Sequence, residues 1–354
     1  MSSSLTPRER IIKLLKGEGV DRIPCFSGMG NVTTAGLKKL GYKFAEVHGD
    51  AEKMANLAAT SHQLFDYECA VVPFDLCVEA EALGCVMNAY EDVNQLLYPT
   101  IKEKAVHAEE EMTTINIPAD LAQRGRVPVV VEAIKKLKKE LPDVAIGTYL
   151  LGPFTLAGQL MDLNDLFKLS FKKQDKVNQM LDNLANATIE LAKVYREAGV
   201  DYICIREMGA TTDILSPKVF RAVILPHLQK IFAAIDYPNN LHICGSTNSI
   251  MKIMMEAGAD SISVETKNDM AKTRADIGDE PLIFGQVDAY NVLVNAKPED
   301  VEKAVLASIE ASVDAVWPSC DIWPEAPIDN LKAMTATVAK YGEKKWVRKS
   351  KKVS

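Results

Sequence analysis

An imidazole and a thiol stand two residues apart at His242 and Cys244, within Asn240-Leu241-His242-Ile243-Cys244-Gly245. The stretch reads as the end of a buried strand running into a glycine turn. Residues two apart on a strand project to one side, so His242 and Cys244 point together while Leu241 and Ile243 face away. Imidazole nitrogen and thiolate sulfur are both good zinc ligands, but two ligands do not make a site. Buried cysteine and satisfied histidine are also ordinary core residues, so the pair alone leaves that reading open.

Other elements must bring the remaining ligands. From Val144 onward, strand and helix alternate. Val144–Leu150 is a strand, 153–170 is helical, and Lys173–Ala198 is a long helix closing at Gly199. Strands follow at Asp201–Ile205, Leu241–Cys244, Ser261–Val264, Leu282–Phe284 and Val313–Trp317. Helices at Pro217–Ile235, Ser249–Ala257, 269–276, Pro298–Ser312 and Pro327–Lys340 separate or follow them. Upstream, Thr6-Pro7-Arg8-Glu9 opens a capped helix. Arg22–Phe26, Cys69–Pro73 and Gly84–Asn88 read as short strands, 44–65 and Arg126–Leu141 as helices, and 90–118 as irregular. Repeated strand-helix units without a linker between halves predict one closed (β/α)8 TIM barrel over 1–354. An N-terminal helical elaboration covers about 1–120, and a basic tail covers about 342–354.

In such a barrel the chemistry gathers where strands end at the C-terminal face. Those ends offer Arg206 and Glu207, then His242 and Cys244, then Glu265, then Gln286 and Asp288, then Cys320 beside Trp317 and Trp323. Converging there, His242, Cys244 and Cys320 make the His/Cys/Cys set of a catalytic zinc, with Glu265 able to fill a labile fourth place. Glu265 and Asp288 are the candidate catalytic carboxylates. Arg206, Glu207, Gln286, Trp317, Trp323 and Met29 are the candidate substrate contacts. Competing readings are a thiol at Cys320 packed among prolines, a rim salt bridge at Arg206 and Glu207, and a Glu265 paired with Lys267 or Arg274. Met29 lies in Ser27-Gly28-Met29-Gly30-Asn31, which lacks the third glycine of a dinucleotide fingerprint and reads as a tight loop lining a pocket.

The 354 residues are 47% hydrophobic, enough for a large core, and carry a net charge of −7. That balance argues against nucleic acid and anionic membrane as partners. The cluster Lys344, Lys345, Arg348, Lys349, Lys351 and Lys352 reads as a solvated tail. Seven thinly spread cysteines without a CxxC argue for a reducing cytoplasm rather than a disulfide framework. The uncharged run Ala145–Met161 is broken by Gly147, Gly152-Pro153 and Gly158, so it reads as strand, turn and helix, not a membrane span.

Leu241-His-Ile-Cys-Gly245, Ser261-Ile-Ser-Val-Glu265 and Ser319-Cys320 with Pro327-Ile-Asp-Asn-Leu-Lys332 resemble the corrinoid-dependent methyltransferases of the uroporphyrinogen decarboxylase superfamily. The resemblance covers nearly the whole chain. It implies a (β/α)8 barrel in which His242, Cys244 and Cys320 bind zinc. It also implies partners: a methyl-donating or methyl-accepting small molecule, and a corrinoid on a separate protein docking at the barrel mouth. A second copy of the chain remains open as a further partner. Asn240-x-His242-x-x-Gly245 nearly spells the histidine motif of corrinoid proteins, but Asp is replaced by Asn and the downstream motifs are missing. The parent decarboxylase fits less well, because its N-terminal arginine-rich motif is absent from Phe26–Asn31 and it needs no metal. Two directions of methyl flow are implied: to a zinc-bound thiol such as coenzyme M, or from a methoxylated aromatic to cobalt. Ser319-Cys320-Asp321-Ile322-Trp323-Pro324 departs from the small-residue pattern of the coenzyme M branch. With two of the three tryptophans near Cys320, the expectation leans to aryl ether demethylation. A zinc-stabilised scaffold without activity is the non-enzymatic alternative.

Overall fold

The structure, a computed structural model, describes residues 5–343. Its frame is a parallel seven-stranded sheet of β1 (Cys69–Val72), β4 (Ala145–Leu151), β5 (Tyr202–Arg206), β6 (Asn239–His242), β7 (Ser261–Ser263), β8 (Leu282–Val287) and β9 (Ala315–Pro318), paired in that order. The segment 24–26 joins the two edges. Val316 N donates to Pro24 O at 3.0 Å, Phe26 N donates to Val316 O at 3.2 Å, and Glu68 N donates to Cys25 O at 3.2 Å. The ring is thereby closed, as the repeated units predict.

Two staves of this barrel, 24–26 and β1, come from the N-terminal region, which is therefore more than a helical elaboration. The expected strand at Gly84–Asn88 lies outside the barrel. There β2 (Val86–Asn88) pairs antiparallel with β3 (Thr100–Glu103), so 90–118 is partly ordered rather than wholly irregular. The basic tail from Lys344 onward lies outside the described residues. Among the described residues no helix is long and apolar enough to cross a membrane.

The barrel interior is filled by rings from opposite staves. Phe26 lies 5.0 Å from Trp317, 5.2 Å from Phe284 and 5.5 Å from Tyr202, centroid to centroid. The Tyr202 hydroxyl donates across the barrel to Ser27 O. Gly28 must be glycine here, because a Cβ would stand 2.5 Å from Cys204 Cβ and 2.9 Å from the Trp317 ring. The Gly-x-Gly loop thus serves close packing. Met29 is fully buried in it and does not line the large cavity at the barrel mouth.

Candidate metal centre

The register of three neighbouring strands sets one row of side chains: Arg206 on β5, His242 on β6 and Ser263 on β7 are direct partners. Strand β6 ends at His242, so Cys244 sits in the following loop rather than on the strand. Gly245 turns the chain there with φ +79, a left-handed value that a side chain resists, and a Cβ would stand 2.4 Å from Thr211 Oγ1. Cys320 arrives from the loop after β9.

One nitrogen or sulfur from each of His242, Cys244 and Cys320 lies within 4.8 Å of the others. His242 Nε2 is 2.9 Å from Cys244 Sγ, and the two sulfurs are 3.7 Å apart. That gap is far too long for a disulfide, which needs about 2.05 Å. It matches the roughly 3.8 Å between two thiolates that share one tetrahedral zinc at about 2.3 Å. The donor set therefore fits zinc, with the imidazole required to swing slightly outward.

Ser263 and Asn240, behind the imidazole, fix its orientation. Ser263 Oγ donates to Asn240 Oδ1 at 3.4 Å and so accepts from His242 Nδ1 at 2.7 Å. Asn240 is itself oriented by donating to Ser261 Oγ at 3.2 Å and accepting from Cys204 Sγ at 3.3 Å. The proton on Nδ1 leaves the Nε2 lone pair facing the sulfurs, as a ligating histidine requires. The thiols divide unequally. Cys320 is drawn down to about 3, first by its hydrogen bond with Cys244, with His242 and Arg206 adding to it despite burial. Cys244 is pushed up, first by the same bond. The pair thus presents a thiolate at Cys320.

Above Cys320 opens a cavity of about 510 Å³, with Arg206, Asp321, Tyr98, Phe74 and Trp323 on its walls. Arg206 spends both Nη atoms on Asp321, at 3.1 and 2.6 Å, and lies 4.8 Å over the Tyr149 ring. As found, it is paired within the chain rather than free to grip a substrate anion.

The remaining expected contacts hold the scaffold. Glu207 is fully buried and accepts from Phe154 N at 3.1 Å, Thr155 N at 2.7 Å and Thr155 Oγ1 at 2.6 Å, capping the helix Pro153–Leu160. Glu265 lies outside the ligand group, its carboxylate accepting from Gly245 N. Gln286 donates to Glu265 O at 2.8 Å and Asn268 O at 3.2 Å, pinning the loop after β7. Asp288 accepts from Tyr290 N at 2.9 Å and Asn291 N at 2.7 Å, closing a turn. Trp317 is fully buried in the aromatic core, so one of the two expected aromatic walls faces protein. At a strand mouth, unpaired loop N–H groups compete with substrate for every nearby carboxylate, and here they take Glu207, Glu265 and Asp288.

Asp321, Ser263 and Asn240 carry roles that sequence reasoning did not assign. The available signal was polar residues at alternate positions of buried strands, Asn240 with His242 and Ser261 with Ser263, which points to a polar interior layer.

Residues 6–341 match the uroporphyrinogen decarboxylase family, described as "Uroporphyrinogen decarboxylase (URO-D)". A methylcobamide:CoM methyltransferase, MtaA, of Methanosarcina barkeri is 34% identical over 345 residues, covering 96% of this chain and 99% of that protein. Another, MtbA of Methanosarcina acetivorans, is 33% identical over 343 residues, covering 95% and 98%. The solved structure of a methyltransferase from Methanosarcina mazei superimposes with a TM-score of 0.90 at 33% identity, covering 96% of this chain and 99% of that one. Fold, ligand-type residues at the barrel mouth and full-length similarity agree: the chain is an enzyme of the uroporphyrinogen decarboxylase family, among its corrinoid-dependent methyltransferases.

Proposed function

We propose that this enzyme methylates a small thiol, with zinc held by His242, Cys244 and Cys320 and the methyl group supplied by the cobalt of a separate corrinoid protein. One observation carries the reading: a nitrogen and two sulfurs stand at zinc-ligand spacing, and one of them, Cys320, lines an open cavity. The names of the full-length relatives, methylcobamide:CoM methyltransferases, support the same direction of flow. The unpaired state of all seven cysteines suits a reducing cytoplasm.

His242, Cys244 and Cys320 would hold the zinc, which would supply Lewis-acid activation of a substrate thiol by lowering its pKa. The chain's own work is positional. Ser263 and Asn240 aim His242, Gly245 turns Cys244 towards it, and the apolar walls shield the reacting sulfur from water. The thiol proton leaves to solvent. In the balanced transfer the sulfur lone pair would form the S–C bond as the C–Co bond of the partner's corrinoid breaks, with that electron pair left on cobalt.

The expectation of a methoxylated aromatic rested on the departure of Ser319–Pro324 from a small-residue pattern and on two tryptophans. Trp317 is now in the core, but Trp323 and Tyr98 on the cavity wall keep aryl ether demethylation as a second reading. Purified protein is expected to carry one zinc per chain, and His242→Ala, Cys244→Ala or Cys320→Ala to lose it while the barrel stays folded by circular dichroism. Protein that binds no zinc would sink the mechanism. Direction is read from cobalt absorbance, first with methylated corrinoid protein and thiols, then with reduced corrinoid protein and methoxyarenes. Turnover with methoxyarenes alone would replace the first reading by the second.

A further inference from the structure

We propose that the cavity rejects anionic substrates and that Asp321 makes the selection, so that the thiol acceptor ends in a neutral or cationic group. The inference rests on the thiol-methylation reading of this site. Its observation is an asymmetry across one ion pair. The Arg206 side chain is 2% exposed and that of Asp321 35%, so the cavity meets the carboxylate with the guanidinium behind it. Both Asp321 oxygens and both Arg206 Nη atoms are already engaged with one another. Arg206 Nη2 also lies 3.3 Å from Met208 Sδ, and Nε is buried. Both Nη atoms that face Asp321 are therefore occupied, and the one unpartnered donor, Nε, is buried.

The other charged wall residue does not redress the balance. Asp75 is bound by Arg126 at 2.6 and 2.9 Å and by His48 at 2.9 Å. Asp75 is thus matched by Arg126 and fully buried, so the charge most exposed on the cavity wall is the Asp321 carboxylate. Asp321 Oδ2 stands 3.7 Å from Cys320 Sγ, so the carboxylate borders the place where a metal-bound thiol would lay its tail. A sulfonate or carboxylate on that tail would either face a like charge or have to prise Asp321 from Arg206. Like-charge contact of this kind is a strong device for rejecting a ligand. Coenzyme M, the acceptor in the names of the relatives, is an anionic thiol, so this chain would part from them in substrate charge.

The test uses the zinc-loaded full chain with methylcobalamin as donor and three thiols of similar size. These are 2-mercaptoethanol, cysteamine and 2-mercaptoethanesulfonate, each normalised to its uncatalysed rate. The sulfonate is expected to show kcat/KM at least ~10-fold below the neutral thiol. Asp321→Asn is expected to narrow or reverse that ratio, mainly through KM for the sulfonate. A sulfonate used as well as or better than 2-mercaptoethanol by the unaltered protein overturns the inference, whether or not the variant folds. Calorimetric binding of the same thiols gives the charge preference without turnover. Neutral-over-anionic binding with no methylation of any thiol would retain the role of Asp321 and sink thiol methylation.

Discussion

His242 can ligate only if its proton sits on the far nitrogen, and Ser263 is the residue that puts it there. Ser263→Ala leaves Nδ1 without its acceptor, so zinc affinity should fall roughly 10- to 100-fold by chelator competition. An affinity unchanged in that variant would show the imidazole is aimed by packing alone. The thiol pair gives a second check at this scale. With Cys320 drawn down to about 3, zinc-free protein should still be alkylated there by iodoacetamide at pH 6, where an ordinary thiol with pKa about 8.5 has slowed sharply. Labelling of Cys320 that falls away below pH 8 like a free thiol would contradict the assignment. The convergence of His242, Cys244 and Cys320 was legible in sequence because each lies at or just beyond a strand end. Ser263 was not, because its partnership with His242 depends on β6–β7 register.

The elements around the site carry charge that the chemistry does not use. Glu79, on the helix Val78–Ala82, accepts from Leu151 N at 2.9 Å through Oε1, while its buried Oε2 has no partner. Burial pushes its carboxyl up to about 7. A carboxyl raised in the native state binds a proton there that the unfolded chain has released. Its contribution to stability therefore falls as pH rises from about 4.5 through 7. Glu79→Gln keeps the acceptor and cannot ionise. Between pH 5 and pH 8 it should gain on the unaltered protein by something on the order of 3 kcal/mol, read as a smaller loss of Tm. Parallel Tm profiles for the two proteins would exclude the effect. Helix periodicity read most of these elements correctly, but Pro217–Ile235 is interrupted. It opens into a wide turn at Phe220–Ile224 before Leu225–Ala234, because Pro226 has no N–H to give and its ring crowds the preceding turn.

At the scale of the molecule, the barrel is sealed by one buried carboxylate. Glu68 accepts from Arg10, from Arg22 at 2.9 and 3.1 Å, and from Cys25 N at 2.8 Å. It thereby ties the N-terminal helix Pro7–Leu15 to the segment that joins β1 and β9. Removing it strands Arg10, itself buried, without its inner partner. Glu68→Ala should cost about 3–5 kcal/mol in denaturant unfolding. Full stability in that variant would mean the seam is held by backbone pairing alone. Arg22–Phe26 was readable as a strand, but nothing in its composition said it would be the closing stave.

The order of apolar and polar residues was enough to predict a parallel barrel, the mouth at which its chemistry gathers, and a histidine with two cysteines placed to meet there. Those features are local: strand period, turn glycines and residue type are written along the chain. Which neighbours compete for each side chain is not local. Glu207, Glu265 and Asp288 became supports for loop backbone, Trp317 turned inward and Arg206 met Asp321. Each outcome depends on distances between loops that are remote in sequence, and these exist only once the ring has closed.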